Sequence, residues 1–286
     1  MPPSSSTAKR STSSIQNRRS SQLPSDAKTL VCIAGTEGSG TTVLREVLAA
    51  PDCCVAIGTQ EGRRDERPEV RALHADIDDI TTVLWNRRAT LGQQRRAKEA
   101  WLALAARMGA PGAFGADTTH VILKRSFPFG KPHGSGSPDV WDVLDAFPTA
   151  RIVVMARDPC AATYSALRRG FDTDLRRLAV ECDDQLSRLA GIVRALDPQQ
   201  VRVVSYSALG ATPEATLAEI CAFAGIPFAP VREAAIRVNL RPGADDRYRA
   251  ELPGEELTWL DAYFDGRRRR QWEDLFGPLE FPLRRA

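Results

Sequence analysis

Short apolar runs alternate with longer segments of helical periodicity along most of the chain. The apolar runs span four to six residues and favour β-branched side chains, which is typical of strands buried on both faces of a sheet. We predict strands at residues 29–34, 54–57, 120–123, 151–156 and 201–205. We predict helices at residues 41–50, 94–108, 139–146, 161–169, 175–196, 213–223 and 255–270. This order indicates a three-layer α/β/α fold with a mainly parallel central sheet.

The first 27 residues do not share this pattern. They are rich in serine and contain four basic residues, one acidic residue and almost no apolar side chains, which predicts a disordered basic tail before a single domain at residues 28–286. The whole chain has 39 basic and 36 acidic residues, so the domain itself has 35 of each. A neutral domain gives no reason to expect a nucleic-acid partner.

The apolar runs and the spacing of cysteines and histidines give expectations for the location of the protein and for metal binding. No apolar run reaches the roughly 18 to 20 residues of a membrane span, and none follows the basic start as in a secretory signal, so we expect a cytoplasmic protein. The six cysteines form no CxxC pair and are expected to be reduced core residues. His74, His120 and His133 lie far apart in no ligand pattern, so no bound metal is expected. The oligomeric state is unknown.

A glycine-rich turn follows the first predicted strand. Residues 35–42 read Gly-Thr-Glu-Gly-Ser-Gly-Thr-Thr and lead directly into a helix. The backbone N–H groups of such a turn, together with the positive end of the helix dipole, form a phosphate site. Gly35 and Gly40 have the P-loop spacing, but Thr41 stands where a nucleoside triphosphatase carries its lysine. Anion binding is predicted and ATP or GTP hydrolysis is disfavoured; a glycine turn without a ligand is the alternative.

A second candidate phosphate site follows the fourth predicted strand. Arg157 comes directly after that strand, and the next helix carries Ser165. A guanidinium offers a planar fork to phosphate oxygens, and a nearby hydroxyl adds a further donor. Considered alone, Arg157 could equally cap carbonyl groups at the strand end. The presence of both motifs in one chain makes the prediction specific.

The two motifs together resemble the sulfotransferases that use 3′-phosphoadenosine 5′-phosphosulfate. Ser39 to Thr42 is similar to the SGTT of their phosphosulfate loop, although Gly38 stands where the family usually has Lys or Arg. Arg157 and Ser165 have the family's spacing for the 3′-phosphate. Segments similar to further parts of the family follow in the same order at residues 147–151, 203–209, 213–214 and 223–227. The resemblance covers residues 28–227 and implies a P-loop-type fold and sulfuryl transfer to a hydroxyl or amine of a small molecule or carbohydrate.

The resemblance also implies roles for single residues. Lys124, at the start of Lys-Arg-Ser-Phe-Pro, matches a lysine that contacts the bridging phosphosulfate oxygen; it could compensate for Gly38, with Arg125 as the alternative cation. The implied donor-binding residues are Gly38, Ser39, Gly40, Thr41, Thr42, Arg157, Ser165 and Tyr206. Tyr206 corresponds to a position near the adenosine, although a buried strand-end tyrosine needs no ligand. Arg267 and Arg268 are secondary candidates for the 3′-phosphate, and a helix C-terminus accounts for them equally well.

The general base is harder to assign. Ser126 replaces the histidine that the family has in this segment, and a serine hydroxyl does not accept a proton unaided. Glu61 follows the second strand, where carbohydrate-modifying relatives have a glutamate base, so it is the first candidate; a solvated, charge-rich loop is the alternative. His133, in a long glycine- and proline-containing loop, is the second candidate.

Two other functions fit parts of the sequence. A P-loop kinase acting on a small molecule would fit the glycine spacing, but the missing lysine opposes it and Asp158 is the only clear magnesium ligand. A catalytically degenerate nucleotide-binding protein of the same fold would fit the losses at Gly38 and Ser126. The variable loops at residues 58–118 and 126–138 are expected to form the acceptor pocket, and their sequence does not identify the acceptor.

Overall fold

A computed structural model of the 286-residue chain describes residues 28–57, 71–72, 75–76, 90–110, 113–124, 143–144, 147–238 and 246–266. The predicted tail at residues 1–27 and most of the predicted helix at residues 139–146 lie outside these ranges. All five predicted strands are present, each within one residue of its predicted bounds. They are β1 (Thr29–Gly35), β2 (Cys54–Ile57), β3 (His120–Lys124), β4 (Arg151–Ala156) and β5 (Val201–Ser205).

The strands form one parallel sheet in the order β2-β3-β1-β4-β5. In the described part of the chain the helices are α1 (Thr41–Leu48), α2 (Leu91–Gly109), α3 (Pro159–Arg168), α4 (Leu175–Ala195), α5 (Tyr206–Ala211), α6 (Pro213–Ala224), α7 (Phe228–Val238), α8 (Arg247–Glu251) and α9 (Gly254–Tyr263). The predicted parallel α/β fold is therefore confirmed.

The helices differ from prediction at several points, and local capping explains two of them. Helix α2 begins before the predicted residue 94 because Thr90 and Gln93 form a capping box at its start. Helix α5 was not predicted; it begins where Ser205 Oγ accepts a hydrogen bond from Ala208 N at 3.4 Å. Helices α7 and α8 were also not predicted. The last predicted helix, at residues 255–270, is not continuous, because α9 ends at Tyr263 and a turn follows it. Residues 267–270 lie outside the described residues.

Alternating side chains of the sheet build two hydrophobic layers. On β1, Leu30 and Cys32 face the layer that contains Trp101 of α2, whereas Val31 and Ile33 face the opposite layer. That second layer holds buried residues of α1, α6 and α7, namely Leu44, Val47, Leu48, Leu217, Ile220, Cys221, Val231, Ala234 and Ala235. Burial on both faces explains why the strands read as continuous apolar runs.

A third hydrophobic cluster fixes the helix that follows β4. It joins α3, α4 and α9 through buried residues that include Cys160, Leu186 and Leu260. Since β1 and β4 are neighbours, with Gly35 paired to Met155, the turns that follow them emerge side by side at the carboxyl edge of the sheet. Among the described residues, no helix has the length and apolarity needed to cross a bilayer.

Candidate functional site

The turn after β1 is built from two glycines in the left-handed region. Gly38 has φ +79° and Gly40 has φ +88°, conformations that side-chain-bearing residues rarely adopt. Between them Ser39 is completely buried, and its Oγ donates to the Thr36 carbonyl at 2.7 Å. Gly40 then forms the N-cap of α1, whose first residue, Thr41, is buried. The turn thus leads its backbone directly into a helix N-terminus, the arrangement that favours anions.

A residue distant in sequence supports this turn. The backbone N–H of Glu37 donates to Gln185 Oε1 at 3.3 Å, and Gln185 of α4 is only 4% exposed. Sequence reasoning missed Gln185, because these partners are 148 positions apart and no motif surrounds the glutamine. The buried amide therefore helps to hold the loop in one conformation.

The turn after β4 is fixed by a helix cap. Asp158 Oδ1 accepts from the Ala161 N–H at 3.0 Å, and Pro159 occupies the first turn of α3. Arg157, immediately before the cap, is only 8% exposed. The Asp-Pro pair of the sequence motif therefore has a structural role, which is to start the helix that carries Ser165.

The two turns are in direct contact. Arg157 Nη1 donates a hydrogen bond to the Gly38 carbonyl at 2.5 Å, across 119 positions of sequence. A side chain at residue 38 would collide with the Ala162 carbonyl and would place its Cβ 2.9 Å from Ser165 Cβ. Gly38 is therefore packed against α3, and the glycine that departs from the family pattern is required by this close approach.

Tyr206 joins the same group of residues. Its ring lies against Gly40 so closely that a Cβ on that glycine would overlap ring carbons Cδ2 and Cε2. The Arg157 guanidinium lies over the same ring, with Cζ 4.2 Å from the centroid. This is the range of a cation–π interaction. Five of the predicted donor-binding residues, Gly38, Gly40, Arg157, Ser165 and Tyr206, are thus linked by contacts.

Lys124 lies at the same edge of the sheet. It is the last residue of β3, is half-buried, and pairs in register with Ile33 of the neighbouring β1. Residues paired in register project from the same face, so Lys124 leaves the sheet on the face covered by α1. Thr42 is half-buried in the first turn of α1, the helix that packs on that face through Leu44 and Val47. The structure therefore brings Lys124 to the side of the sheet where the phosphate loop enters its helix.

The remaining candidate residues lie outside the described residues. These are the two candidate bases and the secondary cations, together with the serine of the Lys-Arg-Ser-Phe-Pro segment: Glu61, His133, Arg125, Ser126, Arg267 and Arg268. Their roles stay predictions.

A parallel sheet with a glycine-rich anion turn after its central strand defines a P-loop α/β protein. The chain belongs to the sulfotransferase family, whose sequence model matches residues 31–230. This assignment confirms the family resemblance and supports a transferase that moves sulfuryl groups. No curated protein matches the chain in sequence.

Several solved structures share the fold. The sulfotransferase domain of the Synechococcus PCC 7002 olefin synthase has a TM-score of 0.54 and 16% identity, over 86% of this chain and 98% of that one. The sulfotransferase domain from the curacin biosynthetic pathway has a TM-score of 0.52 and 15% identity, over 83% and 98%. A sulfotransferase from Alicyclobacillus acidocaldarius has a TM-score of 0.52 and 17% identity, over 87% and 96%. These likenesses establish the fold.

Proposed function

We propose that the protein transfers a sulfuryl group from 3′-phosphoadenosine 5′-phosphosulfate to a hydroxyl or amine of a small-molecule or carbohydrate acceptor. The supporting observation is that Arg157 contacts Gly38, which puts the two candidate anion-binding motifs side by side. A bond to a carbonyl is also what the alternative capping role of Arg157 predicts, and nucleotide binding distinguishes the two roles. A nucleotide with phosphates on both the 3′ and the 5′ positions needs two such motifs side by side. A simple nucleoside diphosphate needs only the glycine-rich loop after β1.

In this proposal each motif binds one end of the donor. The backbone N–H groups of residues 38–42 and the N-terminus of α1 hold the 5′-phosphosulfate. Arg157 and Ser165 hold the 3′-phosphate. A guanidinium has five N–H donors, so the bond that Arg157 makes to Gly38 is compatible with phosphate binding by the same side chain. Tyr206 keeps the guanidinium in place and lies beside the adenosine.

The transfer itself requires a cation and a base. A bond forms between the acceptor oxygen or nitrogen and sulfur, while the bond from sulfur to the bridging oxygen of the 5′-phosphate breaks. That oxygen keeps the electron pair, and Lys124 stabilises the charge that develops on it. The acceptor proton passes to a base, a role that the family resemblance gives first to Glu61 and second to His133. The products are the sulfated acceptor and adenosine 3′,5′-bisphosphate.

The decisive experiment compares two nucleotides by calorimetry. Adenosine 3′,5′-bisphosphate should bind about 10 to 100 times more tightly than ADP, because charge-assisted hydrogen bonds to the 3′-phosphate contribute roughly 1.5–3 kcal/mol. Arg157→Ala should abolish this preference. Arg151→Ala is the matched control: Arg151 lies at the opposite end of β4, where its guanidinium donates to the Gln199 carbonyl, and the variant should keep the preference.

Other outcomes would identify the alternatives. Equal binding of the two nucleotides would overturn the donor assignment. Magnesium-dependent ATP turnover would then favour the kinase. The structure gives Asp158 a helix-capping role at the start of α3, which counts against its use as a magnesium ligand in a kinase. Tight binding of the bisphosphate without transfer of radiolabelled sulfuryl groups to a mixed acceptor extract would favour a degenerate protein.

A further inference from the structure

Two cysteines and a histidine lie together at the amino edge of the sheet, opposite the phosphate loop. Cys54 begins β2 and pairs in register with His120, which begins β3, and Cys53 immediately precedes the strand. The two Sγ atoms are 4.0 Å apart. These sulfurs and an imidazole nitrogen of His120 all lie within 4.8 Å of one another. We call these three residues the thiol–imidazole cluster.

The backbone holds this cluster in a fixed geometry. The Cys53 carbonyl accepts hydrogen bonds from the N–H groups of both Thr119 and His120, at 2.9 Å and 3.0 Å. The Cys54 N–H donates to the Pro51 carbonyl at 2.8 Å. The start of β2 is thus tied both to its own preceding turn and to the start of β3. The side chains of the cluster are brought together by strand pairing, which costs no further ordering of the chain.

His120 is also oriented through both of its ring nitrogens. Its Nε2 lies 3.2 Å from the Ala224 carbonyl oxygen, and its Nδ1 lies 2.8 Å from Thr119 Oγ1. Histidines that bind metals are commonly oriented in this way, with one nitrogen on the ion and the other on a backbone carbonyl or similar partner. An ion bound through one nitrogen of His120 would replace the hydrogen bond of that nitrogen and leave the other nitrogen on its present partner.

The donor set selects the kind of ion. Two thiolates and an imidazole favour thiophilic ions, and among divalent ions available to proteins they suit zinc. In a tetrahedral zinc site, bond lengths of about 2.3 Å to sulfur and about 2.0 Å to nitrogen put the donor atoms roughly 3.5–3.8 Å apart. The donor atoms, which now lie within 4.8 Å of one another, would have to approach one another by roughly 1 Å to reach that spacing.

Access to the cluster is one-sided. Cys54 is 4% exposed and His120 is 8% exposed, whereas Cys53 is half-buried and reaches the surface. An ion could therefore enter beside Cys53 and keep solvent as its fourth ligand. We propose that Cys53, Cys54 and His120 bind one zinc ion, which fastens the starts of β2 and β3 together. This replaces the expectation of no metal, which considered only spacing along the chain; residues 54 and 120 are 66 positions apart.

Cobalt titration of the tag-free, metal-free full chain tests the proposal. One equivalent of Co²⁺ should produce thiolate-to-cobalt charge transfer and tetrahedral d–d absorption, both of which Zn²⁺ should displace. Cys53→Ser and His120→Asn should lose these bands. Cys32→Ala is the matched control, since Cys32 is a buried cysteine of the same sheet outside the cluster, and it should keep them.

Thermal unfolding provides a second measurement. Zinc at about 100 times its Kd should raise the unfolding midpoint of the wild-type chain by about 5 °C and should not raise that of Cys53→Ser. Cys53 is half-buried, so this variant should fold even if His120→Asn does not. Absence of a stoichiometric cobalt spectrum in the wild type, or the same spectrum in Cys53→Ser, would overturn the proposal and leave the cluster as core packing.

Discussion

The guanidinium of Arg157 lies over the ring of Tyr206, with Cζ 4.2 Å from the ring centroid. The same ring packs on Gly40 of the loop after β1. Tyr206 therefore contacts both candidate anion-binding motifs although it belongs to neither of them. A residue in this position should influence donor binding through the orientation of Arg157.

Replacing Tyr206 tests this role. Tyr206→Ala should weaken binding of adenosine 3′,5′-bisphosphate about fivefold, because loss of a cation–π contact costs about 1 kcal/mol. Tyr206→Phe keeps the aromatic face and should bind within about twofold of wild type. Calorimetry on the two variants distinguishes the cases, and equal losses in both would show that the hydroxyl, and not the ring, is what matters.

Gly38 is the next position to test, because the family usually carries a cation there. Gly38→Lys should destabilise the fold by roughly 3 kcal/mol, since a left-handed conformation costs a side-chain-bearing residue about 1–2 kcal/mol and the clash with Ala162 adds a similar amount. It should also lower transfer activity. The control is Gly170→Lys: Gly170 has φ +70°, and the position that its Cβ would take has no neighbouring atom within 4 Å, so this variant should show the conformational cost alone. If Gly38→Lys and Gly170→Lys unfolded at the same midpoint temperature, the packing described for Gly38 would be contradicted.

Gln185 should matter for the donor although it lies outside both motifs. Gln185→Leu removes the acceptor of the Glu37 N–H and should cost about 1–3 kcal/mol of stability. Loosening of the loop should also raise the Kd for the bisphosphate severalfold. Gln199→Leu, at an exposed position, should leave both quantities unchanged. Chemical denaturation and calorimetry measure the two effects separately.

Substitutions of Asp158 distinguish a helix-capping role from a magnesium-binding role. As the N-cap of α3 it should tolerate Asn, which caps nearly as well, whereas Asp158→Ala should lose about 1 kcal/mol of stability. Sulfuryl transfer by Asp158→Asn should remain near the wild-type rate with or without magnesium. A large loss of activity in Asp158→Asn with unchanged stability would instead indicate a charge requirement at this carboxylate.

The cysteines should differ sharply in reactivity. Burial raises the pKa of Cys32 and of Cys182 to about 12 and that of Cys221 to about 11. A thiol with a pKa of about 12 has about one thiolate in 10⁴ at pH 8, and the thiolate is the form that alkylates. Brief iodoacetamide treatment of the folded, metal-free chain, followed by peptide mass spectrometry, should therefore find Cys53 modified before these three. Early modification of Cys32 would contradict its burial.

The sequence was sufficient to predict the strands and turns that form the site. It was insufficient to predict the distant residues that hold those turns in place. The strands were predictable because both faces of each are buried, so their apolar runs are uninterrupted. Arg157 and the loop at residues 35–42 were predictable because each follows a strand at a fixed offset. Gln185 was not, since its contact with Glu37 depends on how α4 crosses the sheet. Helix α5 was missed because its first residue, Tyr206, reads as the end of a strand.

The thiol–imidazole cluster could not be predicted from the sequence either, because strand pairing assembles it. Neither Cys54 nor His120 belongs to a recognisable ligand pattern, and only the register between β2 and β3 brings them together. Motifs confined to one turn can be recognised from sequence, whereas groups assembled across a sheet require its topology.

The adjacency of β1 and β4 has one more consequence. Because the two turns leave neighbouring strands, their first residues start from the spacing of hydrogen-bonded strands, about 4.8 Å, before any side chain contributes. Substitutions within the turns can change how each turn binds a ligand, whereas moving the turns apart would require a different strand order.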